Sequence, residues 1–373
     1  MSRWFGIEGA ALSSAARFLQ ASVKRLTGEP ARTVAVLGTA VLTLTLVACT
    51  PGASTSSGSP SPSPSSNSTL FAPYLYLNAP RPTLAEVADE TGQRDFVLAF
   101  VLAGPGRCNP SWNGVMSVDD PSITSEVAEL NENGGNVIVA SGGASGPYVE
   151  NACGSADGLT AAYEQALDAV GSNHLDVDVE ADIPVDMVNE ALATLQRDRG
   201  TTVTYTLKVQ DAEQGLTSAA VELLQNAADH GLDVTVNAMA MNFGYTGNWG
   251  QAMVQAAEST VVQMREIWPE ESVVELRGRL GITLMIGRND SGMVTNLDDA
   301  RLLADFARSG GIAYVGFWSV ARDNGSCPGM EEVVNVCSGI AQDPYEFMGI
   351  FKDLAAGRNV ALPALGRRTM VLT

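Results

Sequence analysis

Three acidic side chains alternate with apolar ones in a short segment near the middle of the chain. The segment runs Asn-His-Leu-Asp-Val-Asp-Val-Glu from Asn173, so Asp176, Asp178 and Glu180 stand two residues apart. Successive side chains on a β-strand point to opposite faces, so the three carboxyls share one face of a predicted strand. Carboxyls held together raise one another's pKa, and a raised pKa lets a carboxyl donate a proton at neutral pH. We therefore predict that Glu180 is a general acid, with Asp178 and Asp176 behind it.

Two other interpretations of this acidic strand are open. It could be an exposed edge strand with solvated acids, or a site for Mg²⁺ or Ca²⁺. The apolar, parallel-like flanking segments disfavour an edge strand. Residues spaced along one strand surround an ion poorly, which disfavours a metal site. We therefore predict neither a metal nor a cofactor.

Composition disfavours two further classes of function. The chain has only two histidines, His174 and His230, whereas serine–histidine triads and histidine zinc sites need imidazole in a cleft. His230 precedes Gly231 at the predicted end of a helix, where an imidazole suits the helix dipole. The 42 acidic residues outnumber the 22 basic ones, and the resulting net charge of −20 repels phosphate backbones. We therefore predict no nucleic-acid partner.

The acidic strand is the fourth of eight apolar runs that alternate with helical patterns. The predicted strands are residues 71–78, 96–103, 136–143, 174–180, 202–209, 234–243, 281–287 and 313–320. Thr83 and Glu86 predict a capping box at the start of the first helix. Eight such units predict an α/β fold, a (β/α)8 TIM barrel, with catalytic residues at the C-terminal ends of the strands. An open doubly wound sheet is the alternative, disfavoured because no Gly-x-Gly-x-x-Gly follows the first strand.

The first 48 residues resemble a bacterial secretory signal. Basic residues precede an apolar run at 34–48, which is short for a transmembrane helix. The run ends Leu-Val-Ala-Cys, which resembles a lipobox and predicts lipidation of Cys49; an ordinary membrane anchor is the alternative. Residues 49–69, rich in Ser and Pro, predict an extended tether. We therefore predict a catalytic domain at 70–358 and a tail at 359–373, either secreted or held outside the cytoplasmic membrane by the lipid anchor alone.

Four cysteines remain after Cys49, and they are Cys108, Cys153, Cys327 and Cys337. An even number in an exported chain indicates two disulfides. Three pairings are possible, and we predict Cys108–Cys153 and Cys327–Cys337. No Cys-x-x-Cys spacing supports zinc.

The acidic strand resembles the hallmark of glycoside hydrolase family 18, the chitinase family, which reads Asp-x-x-Asp-x-Asp-x-Glu. Asp176, Asp178 and Glu180 stand at the matching places, with Asn173 where the first aspartate is usual. Other segments agree in order over roughly residues 70–325. They are Ser141-Gly142-Gly143 after the third strand, Met-Ala-Met-Asn-Phe-Gly at 239–244, Met-Ile-Gly-Arg-Asn-Asp at 285–290, and Trp318 at the end of the eighth strand.

The resemblance implies a mechanism and a role for these positions. Glu180 would protonate the glycosidic oxygen while the substrate's own acetamido oxygen attacks the anomeric carbon, which gives an oxazolinium intermediate and retains configuration. Asp178 would orient the acetamide, backed by Asp176, and Trp318 would form the floor of the sugar subsite. The resemblance also implies substrate contacts from Met241, Asn242, Phe243, Ser141 and Gly142. The partner would be chitin or a related glycan, bound by a monomer.

Asn242 and Phe243 stand where bacterial members often have Asp and Tyr. Phe243 lacks a hydroxyl, and losing a positioning group costs on the order of 10²-fold in rate. Two alternatives to a chitinase therefore stay open. One is a noncatalytic or weakly active protein that binds chitin or N-acetylglucosamine glycans. The other is an endo-β-N-acetylglucosaminidase acting on glycoprotein or peptidoglycan glycans. Intact Asp178 and Glu180 favour a hydrolase.

Several residues beyond the strand ends have two interpretations. Three aromatic residues after strands two and six would line outer subsites or pack within loops, and they are Trp112, Tyr245 and Trp249. Asn289 and Asp290 after strand seven would bind sugar hydroxyls or turn the chain. We predict that Arg322 and Asp323 form a surface pair.

Overall fold

The computed structural model describes residues 69–78 and 80–354. The predicted signal at 1–48, the lipidated Cys49, nearly all of the tether and the tail at 359–373 lie outside the described residues and remain predictions. Within the described ranges, no helix is long and apolar enough to cross a membrane.

In this part of the chain, eight parallel strands form a closed barrel, which confirms the predicted (β/α)8 fold. Numbered β1 to β8 in chain order, they are Tyr74–Tyr76, Asp95–Ala103, Asn136–Gly142, His174–Val179, Thr202–Asp211, Val234–Met239, Leu280–Met285 and Tyr314–Trp318. Each strand pairs with its neighbours in sequence, and Trp318 of β8 pairs with Tyr74 of β1 to complete the ring. The ring excludes the open doubly wound sheet. The predicted first strand is shorter than expected because Pro73, which has no N–H to donate, separates β1 from Leu70–Phe71.

Eight helices of the described chain, one after each strand, surround the barrel. Numbered α1 to α8, they are Leu84–Thr91, Pro121–Glu132, Ala156–Ala169, Val185–Arg199, Ser218–Asp229, Trp249–Ile267, Leu297–Gly310 and Glu346–Phe351. Thr83 and Glu86 form the predicted capping box of α1, and His230 ends α5 as predicted. Two shorter helices, Val149–Ala152 and Val273–Arg277, lie before α3 and after α6.

The barrel wall separates two apolar layers, and this separation directs the acids inward. Leu175 and Val177 of β4 point outward into the large core between strands and helices. A smaller core, to which Tyr74 belongs, fills the interior of the barrel. Because side chains alternate along a strand, Asp176 and Asp178 point into the interior, where both are buried. An edge strand with solvated acids is therefore excluded.

Two disulfides join the predicted cysteine pairs. Cys108–Cys153 connects the loop after β2 to the segment before α3, across 45 residues. Cys327–Cys337 closes a loop of sequence separation 10 between β8 and α8. A disulfide stabilises a fold chiefly by restricting the unfolded chain, and the effect grows with loop length. The first bridge is therefore expected to contribute more to stability than the second.

The prediction that Arg322 and Asp323 form a surface pair was wrong, because both are buried just after β8. The Arg322 guanidinium donates to the main-chain oxygens of Ile286 and Arg288, at 3.0 and 2.7 Å, and to that of Val334. The Asp323 carboxylate accepts two main-chain N–H groups from the first turn of α8, at 3.1 and 2.8 Å. The two side chains therefore connect the segment after β7, the loop after β8, and α8.

Replacing Arg322 with leucine is expected to destabilise the fold, because three main-chain oxygens, one buried and two partly buried, lose their donor. The free energy of unfolding should fall by about 3 kcal/mol or more. Arg301→Leu is the matched control, since Arg301 lies on the surface of α7, where its side chain is 52% exposed and pairs with Asp298. That exposed pair contributes at most about 1 kcal/mol. Equal denaturant midpoints for the two variants would contradict the role given to Arg322.

Candidate active site

A cavity of about 1130 Å³ opens at the C-terminal ends of the barrel strands. Enzymes with this fold hold their catalytic residues at that end. Every strand, or the residue or two after it, contributes to the lining, through Tyr76, Phe100, Gly142, Glu180, Lys208, Met241, Met285 and Trp318. Asp178 also lines the cavity, and Asp176 lies one inward position deeper on β4. The structure therefore brings the three predicted acids together at the base of the cavity.

Hydroxyl groups hold Asp176 below the cavity. The Tyr74 hydroxyl donates to its Oδ2 and the Thr206 hydroxyl donates to its Oδ1, both at 2.7 Å. Asn237 Nδ2 donates to the Thr206 oxygen at 2.8 Å, so the network links β1, β4, β5 and β6. Burial raises the pKa of Asp176 to about 7, although the two hydroxyls act to lower it. Asp176 is therefore able to exchange a proton near neutral pH.

Asp178 is buried but incompletely bonded. Its Oδ1 has no hydrogen-bond partner among the described residues. Burial, and then the charges of Glu180 and Asp176, raise the pKa of Asp178 well above its ordinary value. Gly142 packs beside it with a φ of 91°, and a Cβ there would lie 2.1 Å from the Asp178 main-chain oxygen. Only glycine therefore fits this approach. Asp178 lines the cavity and keeps a side-chain oxygen that no described group satisfies.

Glu180 stands one residue past the end of β4, with its side chain 24% exposed. Its main-chain N–H donates to the Tyr148 hydroxyl at 3.0 Å, and its carbonyl oxygen accepts from Lys208 Nζ at 2.7 Å. Burial raises the pKa of Glu180, the charge of Lys208 opposes that rise, and Asp290 adds to it. A half-buried carboxyl with a raised pKa, open to a cavity, has the properties of a general acid.

Aromatic rings form one wall of the cavity. Trp318 stacks on Phe100, with ring centroids 5.7 Å apart and planes at 16°, and lies 5.4 Å from Tyr76. All three line the cavity, and Trp318 and Tyr76 keep part of their surface exposed. Trp318 therefore lies where it was predicted, on a wall that suits the apolar face of a sugar ring.

Asn242 lines the cavity as predicted, but its side-chain amide is already bonded. Nδ2 donates to Asp290 Oδ2 at 2.9 Å, and Oδ1 accepts from the Asp290 main-chain N–H at 2.8 Å. Its φ of 60° is left-handed, a conformation that asparagine adopts more readily than most residues. Asp290 lines the cavity too, whereas Asn289 is buried and donates to the main-chain oxygens of Met285 and Gly287. Asn289 therefore shapes the turn, and Asp290 faces the cavity.

Ser141 lies outside the cavity, contrary to prediction. It is paired with Val177, which points outward, so its hydroxyl reaches Glu150 in the helix layer at 2.7 Å. The residues of β3 that share a register with the acids are Ala140 and Gly142. Ser141 therefore bonds the outer face of β3 to Glu150 and does not contact the cavity.

The aromatic residues after β6 are also absent from the described lining, which contradicts the predicted substrate contact of Phe243 and favours packing over outer subsites for Tyr245 and Trp249. Phe243 and Trp249 are buried with ring centroids 4.6 Å apart, and Trp249 Nε1 donates to Thr295 Oγ1 at 2.9 Å. Tyr245 is half-buried and packs against the same outer core. Trp112 is fully buried as well. These side chains therefore pack in the core outside the barrel and do not line the cavity.

Lys208 is the main functional residue that the sequence reasoning missed. Asp178 pairs with Thr206 across β4 and β5, so Lys208 stands level with Glu180. Alternation along the predicted fifth strand would have shown that Thr204, Thr206 and Lys208 share a face. Tyr148, in the loop after β3, carries no comparable signal, because a loop has no fixed periodicity.

Neither histidine lies in the described lining of the cavity. Burial lowers the pKa of His174, at the opposite end of β4, to about 4. The His230 ring contacts Asp186 at 2.9 Å on the helix surface. No cluster of three or more His, Cys, Asp or Glu residues suited to a metal ion occurs within residues 69–78 and 80–354.

Sequence comparison finds two chitinase-like relatives, and no protein-family model matches the chain. One is a probable bifunctional chitinase/lysozyme of Escherichia coli K12, 28% identical over 309 residues, which cover 76% of this chain and 34% of that protein. The other is endochitinase 11 of Metarhizium anisopliae, 27% identical over 277 residues, which cover 68% of this chain and 52% of that protein. The chain thus spans about a third and about half of their lengths.

Structure comparison gives a closer likeness over a whole domain. The catalytic domain of a hyperthermophilic chitinase from Pyrococcus furiosus is 32% identical, with a TM-score of 0.70. A second match is to catalytic-site mutants of active domain 2 of the thermostable chitinase from the same organism, complexed with chito-oligosaccharides. Its sequence identity is 31% and its TM-score is 0.71. Each match covers 78% of this chain and 95% of the other chain. With this identity over nearly the entire domain, the chain belongs to the chitinase-like proteins of glycoside hydrolase family 18.

Proposed function

We propose that the protein is a chitinase-type hydrolase that cleaves β-1,4-linked N-acetylglucosamine polymers by retaining, substrate-assisted catalysis. The observation that carries the proposal is the arrangement of Asp178 and Glu180 on one strand end. Glu180 faces the cavity as a half-buried carboxyl, and the neighbouring Asp178 presents a buried oxygen without a partner. The chitinases with which the chain aligns support the same reaction class.

In the proposed first step, Glu180 donates its proton to the glycosidic oxygen as the bond from that oxygen to the anomeric carbon breaks. The acetamido oxygen of the same sugar forms a bond to the anomeric carbon and closes an oxazolinium ring. No nucleophile from the protein is needed, so a single acid suffices. In the second step, water attacks the anomeric carbon and gives its proton to Glu180 as the ring opens.

Asp178 orients the acetamide in this scheme. Its unpartnered Oδ1 accepts the acetamide N–H, which satisfies an oxygen that is otherwise buried without a bond. As positive charge develops on the ring, negative charge on Asp178 stabilises it. Asp176, with a pKa of about 7 and its own hydroxyl donors, supports Asp178 through exchange of a proton near neutral pH. Trp318 supplies the wall against which the sugar stacks.

The alternative of a noncatalytic glycan binder loses its main motivation. It was based on the missing hydroxyl of Phe243, and Phe243 packs on Trp249 outside the cavity. An endo-β-N-acetylglucosaminidase shares the acetamide mechanism and is an outcome of the test below.

We further propose that the domain acts outside the cell, anchored by lipidated Cys49 or secreted. The proposal rests on the signal-like segment and the Ser- and Pro-rich tether in the sequence. A chitin-degrading enzyme needs this location, because its polymer substrate is too large to enter the cell.

The test compares chitotriose with cellotriose, which has hydroxyls in place of the acetamido groups. We expect the full-length chain to cleave chitotriose and to leave cellotriose intact, because only the acetamide supplies the nucleophile. Proton NMR at early times should show the β-anomer of the new reducing end. Equal cleavage of both sugars, or an α-product, would overturn the mechanism. Saturable binding without cleavage would favour the binder, and cleavage only of glycoprotein or peptidoglycan glycans would favour the endo-acting alternative.

A further inference from the structure

The main chain of Glu180 is held by side chains rather than by the sheet. The parallel ladder between β4 and β5 ends at the pair Val179 and Leu207, so Glu180 lies beyond it. Its N–H donates to the Tyr148 hydroxyl at 3.0 Å, and its carbonyl accepts from Lys208 Nζ at 2.7 Å. The residue is therefore clamped from both sides, by the loop after β3 and by β5.

The same ammonium group lies beside the Glu180 carboxylate. Lys208 Nζ is 3.9 Å from Oε2, and the two side chains are 48% and 24% exposed. Among the described residues that line the cavity, Lys208 is the only one with a basic side chain. It is also one of just three lysines in the chain, the others being Lys24 and Lys352.

From this geometry we infer that Lys208 is a positioning residue for the catalytic acid: it fixes the main chain of Glu180 and sets the charge beside its carboxyl. The inference rests on the proposed role of Glu180 as the acid. Lys208 touches neither a reacting atom nor, in this scheme, the substrate. It acts through Glu180 alone.

The groups that face Glu180 determine the sign of the effect. Asp290 after β7 favours the protonated Glu180 carboxyl, while the Tyr148 hydroxyl, from the loop after β3, accepts from its main-chain N–H. Asp178, on the same strand, is the other neighbouring carboxyl, and the charge of Glu180 raises the pKa of Asp178. Lys208, from β5, favours the ionised carboxylate and so keeps its pKa from rising further. Removing this charge should raise the pKa of Glu180 by roughly 0.5 to 1 unit, the size expected for a solvent-exposed charge at this distance.

The experiment uses the full-length chain with ¹³C-labelled glutamate, in which the Glu180 carboxyl signal is the one lost in Glu180→Gln. We compare Lys208→Met, Lys208→Arg and the matched control Lys352→Met, which removes the same charge from an exposed site outside the cavity lining. The carboxyl signal is followed as pH is varied, and its midpoint gives the pKa of Glu180. This pKa should rise in Lys208→Met and should stay near the wild-type value in Lys208→Arg and Lys352→Met. An unchanged midpoint in Lys208→Met, or an equal shift in Lys352→Met, would overturn the inference.

Kinetics on chitotriose give the second readout. For Lys208→Met we expect kcat to fall about tenfold because the acid is less well placed, with KM nearly unchanged. The alkaline limb of the kcat profile should move to higher pH with the NMR midpoint, because Glu180 must be protonated to act. If kcat falls but the alkaline limb of the pH profile does not move, Lys208 has only a structural role. A wild-type protein without turnover would refute the proposed function, while the NMR midpoints would still decide whether Lys208 controls Glu180.

Discussion

Replacing Glu180 with glutamine is expected to abolish chitotriose cleavage, with a loss in kcat on the order of 10²–10⁴-fold. Glutamine keeps the size and most contacts of the side chain, but its amide cannot protonate the leaving oxygen. The main-chain bonds to Tyr148 and Lys208 do not involve the carboxyl and should persist. Binding of chito-oligosaccharides, measured by calorimetry, should therefore stay within about threefold of wild type, since the loss is confined to the transition state.

The leaving group provides a sharper check on this prediction. An aryl glycoside such as p-nitrophenyl chitobioside expels a stable anion and needs less protonation, so its cleavage should suffer much less from Glu180→Gln. Glu190→Gln is the matched control, because it removes the same charge from an exposed position on α4 and should leave kcat unchanged. Equal losses on both substrates, or a Glu180→Gln variant with more than a tenth of wild-type turnover, would rule out Glu180 as the acid.

Replacing Asp178 with asparagine should also remove most activity, by on the order of 10²–10³-fold in kcat. The amide resembles the protonated acid in shape, so the fold should survive. It cannot develop negative charge beside the oxazolinium ring, nor pass a proton to Asp176. The loss should appear in kcat for both chitotriose and the aryl glycoside, because the acetamide attacks in either case. A loss restricted to chitotriose would contradict this role.

The same substitution has an expected signature in stability. Burial, and then the charges of Glu180 and Asp176, raise the pKa of Asp178 in the folded protein, so ionised Asp178 is less favourable there than in the unfolded chain. The stability linked to the protonated carboxyl is fully present below the unfolded pKa, near 4, and is lost as pH rises towards the folded pKa. Asparagine has no such dependence. The stability of Asp178→Asn relative to wild type should therefore increase as pH rises above the unfolded pKa.

Denaturant midpoints at pH 5, 6, 7 and 8 would measure this difference. A constant difference across that range would show that Asp178 is ionised in the folded protein. Activity and stability should thus move in opposite directions, as expected where a catalytic site retains a group that the fold alone would not favour.

The sequence reasoning succeeded where the physical rule is local. Alternation along one strand is a property of adjacent residues, and it was enough to place Asp176, Asp178 and Glu180 on one face. The number of strand–helix units, the capping box of α1 and the end of α5 at His230 follow from equally local patterns. Eight such units close into a ring because each strand pairs with its neighbours in sequence.

Predictions were wrong for residues whose surroundings depend on strand register or on the path of the chain after a strand. Strand β6 ends at Met239, and the chain then turns into the helix layer, so Phe243 and Trp249 pack outside while Met241 and Asn242 still line the cavity. Ser141 belongs to the outward face of β3 because it is paired with Val177, a fact of register. Arg322 looks like a surface cation in sequence, but three main-chain oxygens surround it in the fold.

The amino-acid sequence by itself determined the barrel and the column of acids within it, because strand alternation and strand–helix repetition need no distant partner. Only the tertiary structure decided the environment of those acids. The hydroxyls around Asp176 come from β1 and β5, and the groups that hold the main chain of Glu180 come from the loop after β3 and from β5. No described group bonds to Asp178 Oδ1. Lys208 lies 28 residues after Glu180 in the chain, and the register between β4 and β5 alone places its ammonium group beside the acid.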